Sequence, residues 1–245
     1  EESVYRHATP TPLPSIGVLV HFVGVDVQIR RDCPFAVLDG SGTMVDGGWL
    51  ESSGDALGAL ARLIETLALH GDVVIGIDAP RMPLPAPRVH AFRSGRWMEL
   101  AGRRVGRHCE VVVRSLGLAN PQWTPLAKDA PEWMKLGFAL FDAAAGANAV
   151  FEVFPTATYR SLDAPLRTEI DLSVFAPGPK DMLDAIAGAA TARAVQEGAG
   201  CEIGGGDGLG TIALPRRLTP TEAASPVHDW PVHDWLVDAA PARER

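Results

Sequence analysis

Three apolar segments of this sequence each carry a single acidic residue. The segments read FVGVDV, VVIGIDAP and AVFEVFP, and their acids are Asp26, Asp78 and Glu152. Burying an ionised carboxylate without a partner is costly, so acids inside core-like strands indicate a site that uses their charge. A fourth segment, KDMLDAIAGAATA, adds Asp181 and Asp184. These two acids are three residues apart and therefore share one face of a predicted helix.

The five acids predict a carboxylate cluster. Small residues continue the helix face that begins with Asp181, and they would let this helix lie close to a sheet and bring its acids to the strand acids. Mg²⁺ and Mn²⁺ prefer oxygen ligands, and paired ions can activate a water and stabilise the leaving oxygen in phosphodiester cleavage. We therefore expect Asp26, Asp78 and Asp184 to bind metal, and all five acids to be catalytic.

Each acid also has a simpler interpretation. Asp78 stands two residues before Pro80, where turn residues are common. Asp181 could cap its helix, and Asp184 could be a first-turn acid favoured by the helix dipole. Glu152 could pair with an arginine beneath the sheet. These alternatives stay open on the sequence alone, and the joint pattern of acids favours the cluster.

The bulk composition limits the class of protein. The chain has 245 residues, of which 47% are apolar, so one domain is expected, or one with a large insertion. The net charge of −8 argues against broad electrostatic attraction to nucleic acid but allows a local basic groove. Three widely spaced cysteines indicate a reduced, cytoplasmic setting. No apolar run is long enough to span a membrane, and the acidic start is unlike a signal peptide.

The chain divides into three predicted parts. Residues 1–15 look like a flexible leader, residues 16–215 like one domain, and residues 216–245 like a loosely structured tail that holds the tandem copy PVHDW. The domain begins with a strand, a hairpin, a helix and a strand, in which the helix is long enough for a right-handed crossover between parallel strands. The later stretch GGGDGLG lacks the residue order of nucleotide-binding loops, so it predicts a turn.

An insertion interrupts this pattern at about residues 80–147. It is rich in proline and arginine, and we expect helices over about 100–116 and 131–145, followed by a strand at 149–154 and a late helix from about 179 to 197. The predicted architecture is therefore an α/β fold with a helical, arginine-rich insertion.

The arginines of the insertion predict a lid that contacts phosphate. Arginine suits bidentate phosphate binding, and we expect Arg103, Arg107 and Arg114 to bind substrate above the acids. Glu110 and Arg114 also have the i, i+4 spacing of a surface salt bridge, which is the alternative role for that pair.

Taken together, VGVD, VIGIDAP, RHCEVVVRSLG, FEVFPTATYR and DMLDAIAGAATA resemble the domain-of-unknown-function 429 family over about residues 17–215. The members of that family are predicted nucleases with an RNase H-like fold. The resemblance implies a mixed five-stranded sheet, flanked by helices, in which the first and fourth strands are adjacent and parallel. Asp26 would then lie beside Asp78.

The late helix also resembles the DxxD motif of Holliday-junction resolvases within that superfamily, with Asp181 and Asp184 at the matching positions. RNase H itself takes a glutamate from its first helix. The first predicted helix here offers only Asp55 and Glu65, neither of which is obviously placed to reach the site. Specificity for RNA–DNA hybrids is therefore not implied.

The leading functional expectation is a divalent-metal-dependent nuclease or phosphodiesterase that uses Mg²⁺ or Mn²⁺ and acts on nucleic acid or a nucleotide. A phosphotransferase or ATPase that handles nucleotides is the second possibility, although VDVQIRRDC before the first hairpin has no glycine to cradle phosphate. A non-catalytic module that binds nucleic acid is the third.

Overall fold

The computed structural model describes residues 19–51, 55–162 and 180–231. The predicted leader and residues 232–245 of the predicted tail lie outside the described residues. The strands of the described part are β1 (Val20–Asp26), β2 (Cys33–Leu38), β3 (Met44–Leu50), β4 (Asp72–Asp78), β5 (Arg88–Arg93), β6 (Arg96–Arg104), β7 (Ala149–Glu152), β8 (Cys201–Gly204) and β9 (Thr211–Leu214). The helices are α1 (Ala56–Ala68), α2 (His108–Ser115), α3 (Glu132–Ala143), α4 (Pro155–Leu162), α5 (Lys180–Gln196) and α6 (Pro220–Ala223).

Five strands form a central mixed sheet in the order β3-β2-β1-β4-β7. Strands β1, β4 and β7 are parallel to one another, whereas β1, β2 and β3 form an antiparallel meander. The expected pairing of the first and fourth strands is confirmed. Helix α1 connects β3 to β4 and makes the parallel arrangement possible. A chain that leaves one end of a sheet needs a helix-length segment to return to the opposite end and begin a parallel strand.

Helices cover both faces of this sheet. On one face, α1 and α3 pack against the odd-numbered residues of β1 and β4, such as Val23, Val25, Ile75 and Ile77. On the other face, α5 packs against even-numbered residues of the same two strands, such as Phe22 and Val74. The alternation follows from the two-residue period of a strand, which sends successive side chains to opposite faces.

The approach of α5 to the sheet depends on glycines in the two central strands. A Cβ at Gly24 would lie 1.8 Å from the Ala185 carbonyl oxygen, and a Cβ at Gly76 would lie 2.5 Å from the Gly188 carbonyl oxygen. Helix and sheet therefore meet backbone to backbone, as the small residues of the late helix predicted. This contact places the first turn of α5 beside the carboxyl ends of β1 and β4.

The insertion is not purely helical, so that part of the prediction is wrong. The predicted helix at about 100–116 is divided: residues 96–104 form β6, which pairs with β5 as a hairpin, and only His108–Ser115 forms a helix. The turn has positive φ angles at Ser94 (49°) and Gly95 (76°), the geometry of a two-residue hairpin. The cross-strand neighbours Phe92 and Trp97 pack edge to face at 5.5 Å. The second predicted helix is confirmed as α3.

The glycine-rich stretch after β8 is a turn that leads into β9, as predicted. Beyond β9, α6 and a short 3-10 turn bring the first PVHDW copy against the insertion. Val227 is fully buried there, and the Trp230 ring lies 5.1 Å from the Trp97 ring and 4.9 Å from the His108 ring. Across the described ranges, every helix falls short of the length and apolar character that crossing a membrane requires.

Candidate active site

Asp26 and Asp78 lie side by side at the carboxyl ends of β1 and β4. They are direct partners in the parallel register, after the pair Val25 and Ile77. Because β1 and β4 are in register, both carboxylates point to the sheet face that α5 covers. The position expected for Asp26 beside Asp78 is therefore confirmed.

Within the described part of the chain, neither Asp26 nor Asp78 forms an ion pair, and the nearest basic influence is the charge of Lys180, which acts to lower the pKa of both acids. Asp26 is 4% exposed, and its Oδ2 accepts a hydrogen bond of 2.8 Å from the Gln28 amide. Burial raises the pKa of Asp26 to about 6, with smaller contributions from the charges of Asp184 and Asp181. Burial, and then the charge of Asp26, raises the pKa of Asp78 well above its ordinary value.

Helix α5 supplies two further acids beside this pair. The Asp184 carboxylate accepts a 2.9 Å hydrogen bond from the Tyr159 hydroxyl and forms an ion pair with Lys180. Asp181 forms an ion pair of 2.7 Å with Arg31, which stands on the loop between β1 and β2. The two acids of α5 therefore form ion pairs, whereas the two strand aspartates form none among the described residues.

A cavity of about 290 Å³ opens at this end of the sheet. Strand-end acids form one wall, and polar and aromatic side chains from the insertion and from α3 form the other. Asp181 and Asp184 approach Asp26 from the α5 side and are not among the lining residues. The lining side chains include Asp26, Asp78, Glu152, Asn120, Gln122 and Trp133.

Glu152 serves a different part of the structure. It pairs in register with Ile77, so its side chain points to the face opposite Asp78. There the Arg107 guanidinium holds it, with a hydrogen bond of 2.6 Å from Nη1 to Oε2 and a second bond to Oε1. The backbone N–H of Arg81 donates a further bond of 2.8 Å. Glu152 is therefore paired with an arginine, which is the simpler of the two interpretations that its sequence context allowed.

Arg107 is fully buried and joins Glu152 to Glu110. Glu110 also accepts bonds from the backbone N–H of Thr124, at 3.0 Å, and from the Thr124 hydroxyl. Its ionic partner is thus Arg107 rather than Arg114, and the pair is buried, so the suggested surface salt bridge between Glu110 and Arg114 is wrong. One guanidinium between two carboxylates ties the insertion to β7.

The other two predicted phosphate-binding arginines lie apart from the acid cavity. Arg103 and Arg114 line a separate groove between the β5–β6 hairpin and α2. The structure therefore brings Asp26, Asp78, Asp181 and Asp184 together, uses Arg107 to hold Glu152, and leaves Arg103 and Arg114 on a neighbouring surface.

A divalent ion would find oxygen donors of the right kind between Asp26 and Asp78. Two adjacent carboxylates that form no ion pair among the described residues, one buried and one half-buried, are the feature that fits Mg²⁺ or Mn²⁺. In the described part of the chain, however, no three Asp, Glu, His or Cys side chains are arranged to hold one ion as they stand. A third ligand from Asp184 would require this carboxylate to release Lys180.

Sequence reasoning missed the residues that orient the acids. Gln28, Tyr159, Lys180 and Arg31 contact Asp26, Asp184 or Asp181. The contact between Lys180 and Asp184 could have been predicted, since the two residues are four apart on one helix. No local pattern predicts the contact between Tyr159 and Asp184, because α4 and α5 meet only in the tertiary structure. Comparison with family models, with curated proteins and with solved structures finds no match to this chain.

Proposed function

We propose that this protein is a divalent-metal-dependent phosphodiester hydrolase, a nuclease of RNase H-like fold and a relative of the domain-of-unknown-function 429 family. The observation that carries the proposal is the pair Asp26, which is buried, and Asp78, which is half-buried, in register at the ends of two parallel strands with no ion pair to either acid among the described residues. The strand order β3-β2-β1-β4-β7 supports the fold assignment, because it has the meander and parallel extension that the resemblance implies.

The chain's own residues would hold the reacting groups. Asp26 and Asp78 would bind Mg²⁺ or Mn²⁺ between them, with Asp184 as the third ligand and Tyr159 orienting it through their hydrogen bond. Such an ion, when bound, activates a water and stabilises charge on the leaving oxygen. Asn120 and Gln122, on the opposite wall of the cavity, would hydrogen-bond the substrate.

Lys180 and Arg31 would act as counter-charges in the metal-free state. Both are well exposed at their side chains, at 77% and 65%, while the acids they contact are nearly buried. The two exposed cations stay hydrated when they move away, and a bound divalent ion would replace the positive charge that the nearly buried acids lose. Metal binding would then replace the Lys180 contact to Asp184.

A non-catalytic module that binds nucleic acid is the second candidate. It is favoured by the ion pairs that Asp181 and Asp184 already form. Of the four clustered aspartates, only Asp26 and Asp78 then form no ion pair among the described residues, which is fewer than a complete metal site needs. A phosphotransferase has less support, because the loop at the acid end, residues 27–32, contains no glycine and its Arg31 faces Asp181.

The test is cleavage of labelled single-stranded, duplex and branched DNA and RNA with Mg²⁺ or Mn²⁺. Asp26→Asn and Asp78→Asn keep the side-chain shape and remove a ligand charge, so each should reduce cleavage at least about 100-fold while the protein stays folded. Asp46→Asn, on exposed strand β3, is the matched control and should cleave as the wild type does. Wild-type inactivity on every substrate would favour the binding module, and cleavage that persists in both variants would place the chemistry elsewhere.

A further inference from the structure

A second cavity of about 580 Å³ lies between the β5–β6 hairpin and α2. Its volume is in the range that accommodates a ligand of small-molecule size. Most of its polar lining is arginine, and the lining includes Arg88, Arg93, Arg103, Arg104, Arg114 and Trp123. We refer to this cavity as the arginine groove.

The arginine groove is locally basic in an acidic protein. Residues 88–114 contain seven arginines and two acidic residues, whereas the whole chain carries a net charge of −8. Within the described residues, Arg93, Arg103, Arg104 and Arg114 form no ion pair with a carboxylate. The charge of these four arginines is therefore not neutralised by the acidic side chains that the structure describes.

The backbone register brings two of the lining arginines together. Arg88 and Arg104 are direct partners across the antiparallel hairpin. Arg88 is buried and donates from its guanidinium to the carbonyl oxygens of His90 and Val105, at 3.0 and 2.9 Å. The Nε atom of Arg104 is buried without a hydrogen-bond partner among the described residues. An anion in the groove would be attracted by the four arginines that form no ion pair among the described residues, Arg93, Arg103, Arg104 and Arg114.

Aromatic side chains line the same groove. The Trp123 ring is partly exposed, with the Arg114 guanidinium 5.4 Å from its centroid, and Phe92 lies on the hairpin side. A lining of arginines and aromatic rings matches the two parts of a single nucleic-acid strand, a charged backbone and unpaired bases with accessible faces. In a duplex those base faces are stacked inside, so the aromatic part would have no ligand.

The arginine groove adjoins the acid cavity. The segment 120–124 separates them, with Asn120 and Gln122 lining the acid cavity and Trp123 lining the groove. Helix α2 also contributes to both cavities, since Glu110 lines the acid cavity and Arg114 lines the groove. A strand bound in the groove would thus lie one loop away from Asp26 and Asp78.

We propose that the arginine groove binds the backbone of single-stranded nucleic acid and delivers it to the acid cavity. Arg103 and Arg114 contact phosphates, and Trp123 contacts a base. Delivery of the strand for cleavage rests on the proposed function. Binding of the strand in the groove does not require catalysis, so binding and cleavage can be tested separately.

The experiment measures anisotropy of a labelled ten-nucleotide strand, as DNA and as RNA, in EDTA over a series of salt concentrations. The double variant Arg103→Ala with Arg114→Ala should bind at least about tenfold more weakly. Loss of two phosphate contacts should also reduce the slope of log affinity against log salt by about 1.4. Trp123→Leu should weaken single-strand binding about tenfold and leave the salt slope unchanged.

The control removes the same charge elsewhere. Arg62, on α1, and Arg217, after β9, are exposed and outside the groove, so their double alanine variant should bind as the wild type does. Melting curves show whether each variant is folded. Equal loss of binding in the control variant would overturn the groove assignment, because only net charge would then matter.

The remaining outcomes separate this inference from the proposed function. Binding that survives Asp26→Asn, and needs the groove arginines, supports the inference even if no substrate is cleaved. Unchanged binding in the Arg103 and Arg114 double variant overturns it even if the protein is a nuclease. A wild type that does not bind single strands, or that binds duplex or inorganic polyphosphate equally well, overturns it as well.

Discussion

Replacing Asp26 with asparagine should stabilise the metal-free protein at neutral pH. Asp26 is buried, and its pKa in the folded protein is about 6 against an ordinary value of 3.8. A raised pKa means that the fold prefers the protonated acid. The stability associated with the protonated acid is fully present below pH 3.8 and is lost as the pH rises through 6. Asparagine does not ionise, so the variant escapes this loss.

The magnitude follows from the two pKa values. Their difference corresponds to about 3 kcal/mol once Asp26 is ionised in both states. At pH 7.5 the variant should therefore gain up to about 3 kcal/mol, which raises the melting temperature of a chain of this size by about 6–12 °C. At pH 4.5 the folded acid is mostly protonated, and the gain should shrink to about 1 kcal/mol.

The assay compares melting curves at pH 7.5 and pH 4.5 in EDTA. Asp39→Asn is the matched control, because a hydrogen bond from Ser41 lowers the pKa of Asp39 and its replacement should destabilise the protein at pH 7.5. Millimolar Mg²⁺ or Mn²⁺ should raise the wild-type melting temperature and reduce the advantage of Asp26→Asn. An Asp26→Asn protein less stable than the wild type at pH 7.5, or a gain independent of pH, would refute the reasoning.

Other substitutions test the contacts around the site. Arg107→Ala leaves two buried carboxylates without their cation and should cost about 3–5 kcal/mol of unfolding free energy in urea, whereas exposed Arg103→Ala should stay within about 0.5 kcal/mol of the wild type. Gly24→Ala forces a methyl group into the backbone of α5 and should lower the free energy of unfolding by about 3 kcal/mol or more. Gly40→Ala is its control: an added Cβ there has no neighbouring atom within 4 Å, so the urea midpoint should change little. Hydrogen bonds from its arginine partner hold the pKa of Glu222 at about 2 against 4.5, so this stabilisation is present above pH 4.5 and is lost as the pH falls through 2. Glu222→Gln should then cost about 1–2 kcal/mol at pH 7 and less at pH 3, measured by urea unfolding at both values.

The sequence by itself determined the strands and most of the helices around the acids. Apolar runs that end in Asp26 and Asp78 predict buried strands, and the helix between them predicts their parallel pairing. The small residues of α5 predict its close contact with the sheet. These features depend on local periodicity and on connection length, which are properties of a short stretch of chain. The Ser94–Gly95 pair is also a local turn signal, so the β5–β6 hairpin, in place of the first part of the helix predicted over about 100–116, was within reach of the sequence.

Only the tertiary structure decided which charges meet. Arg107 and Glu152 are 45 residues apart in the chain, and their contact depends on the register of β7, which turns Glu152 away from the face of Asp78. Similarly, Tyr159 reaches Asp184 because α4 packs on α5. An arginine has the same local pattern whether it is buried between two carboxylates or lines an open groove. Its role is set by the long-range packing of its neighbours, and no local period of the sequence records that packing.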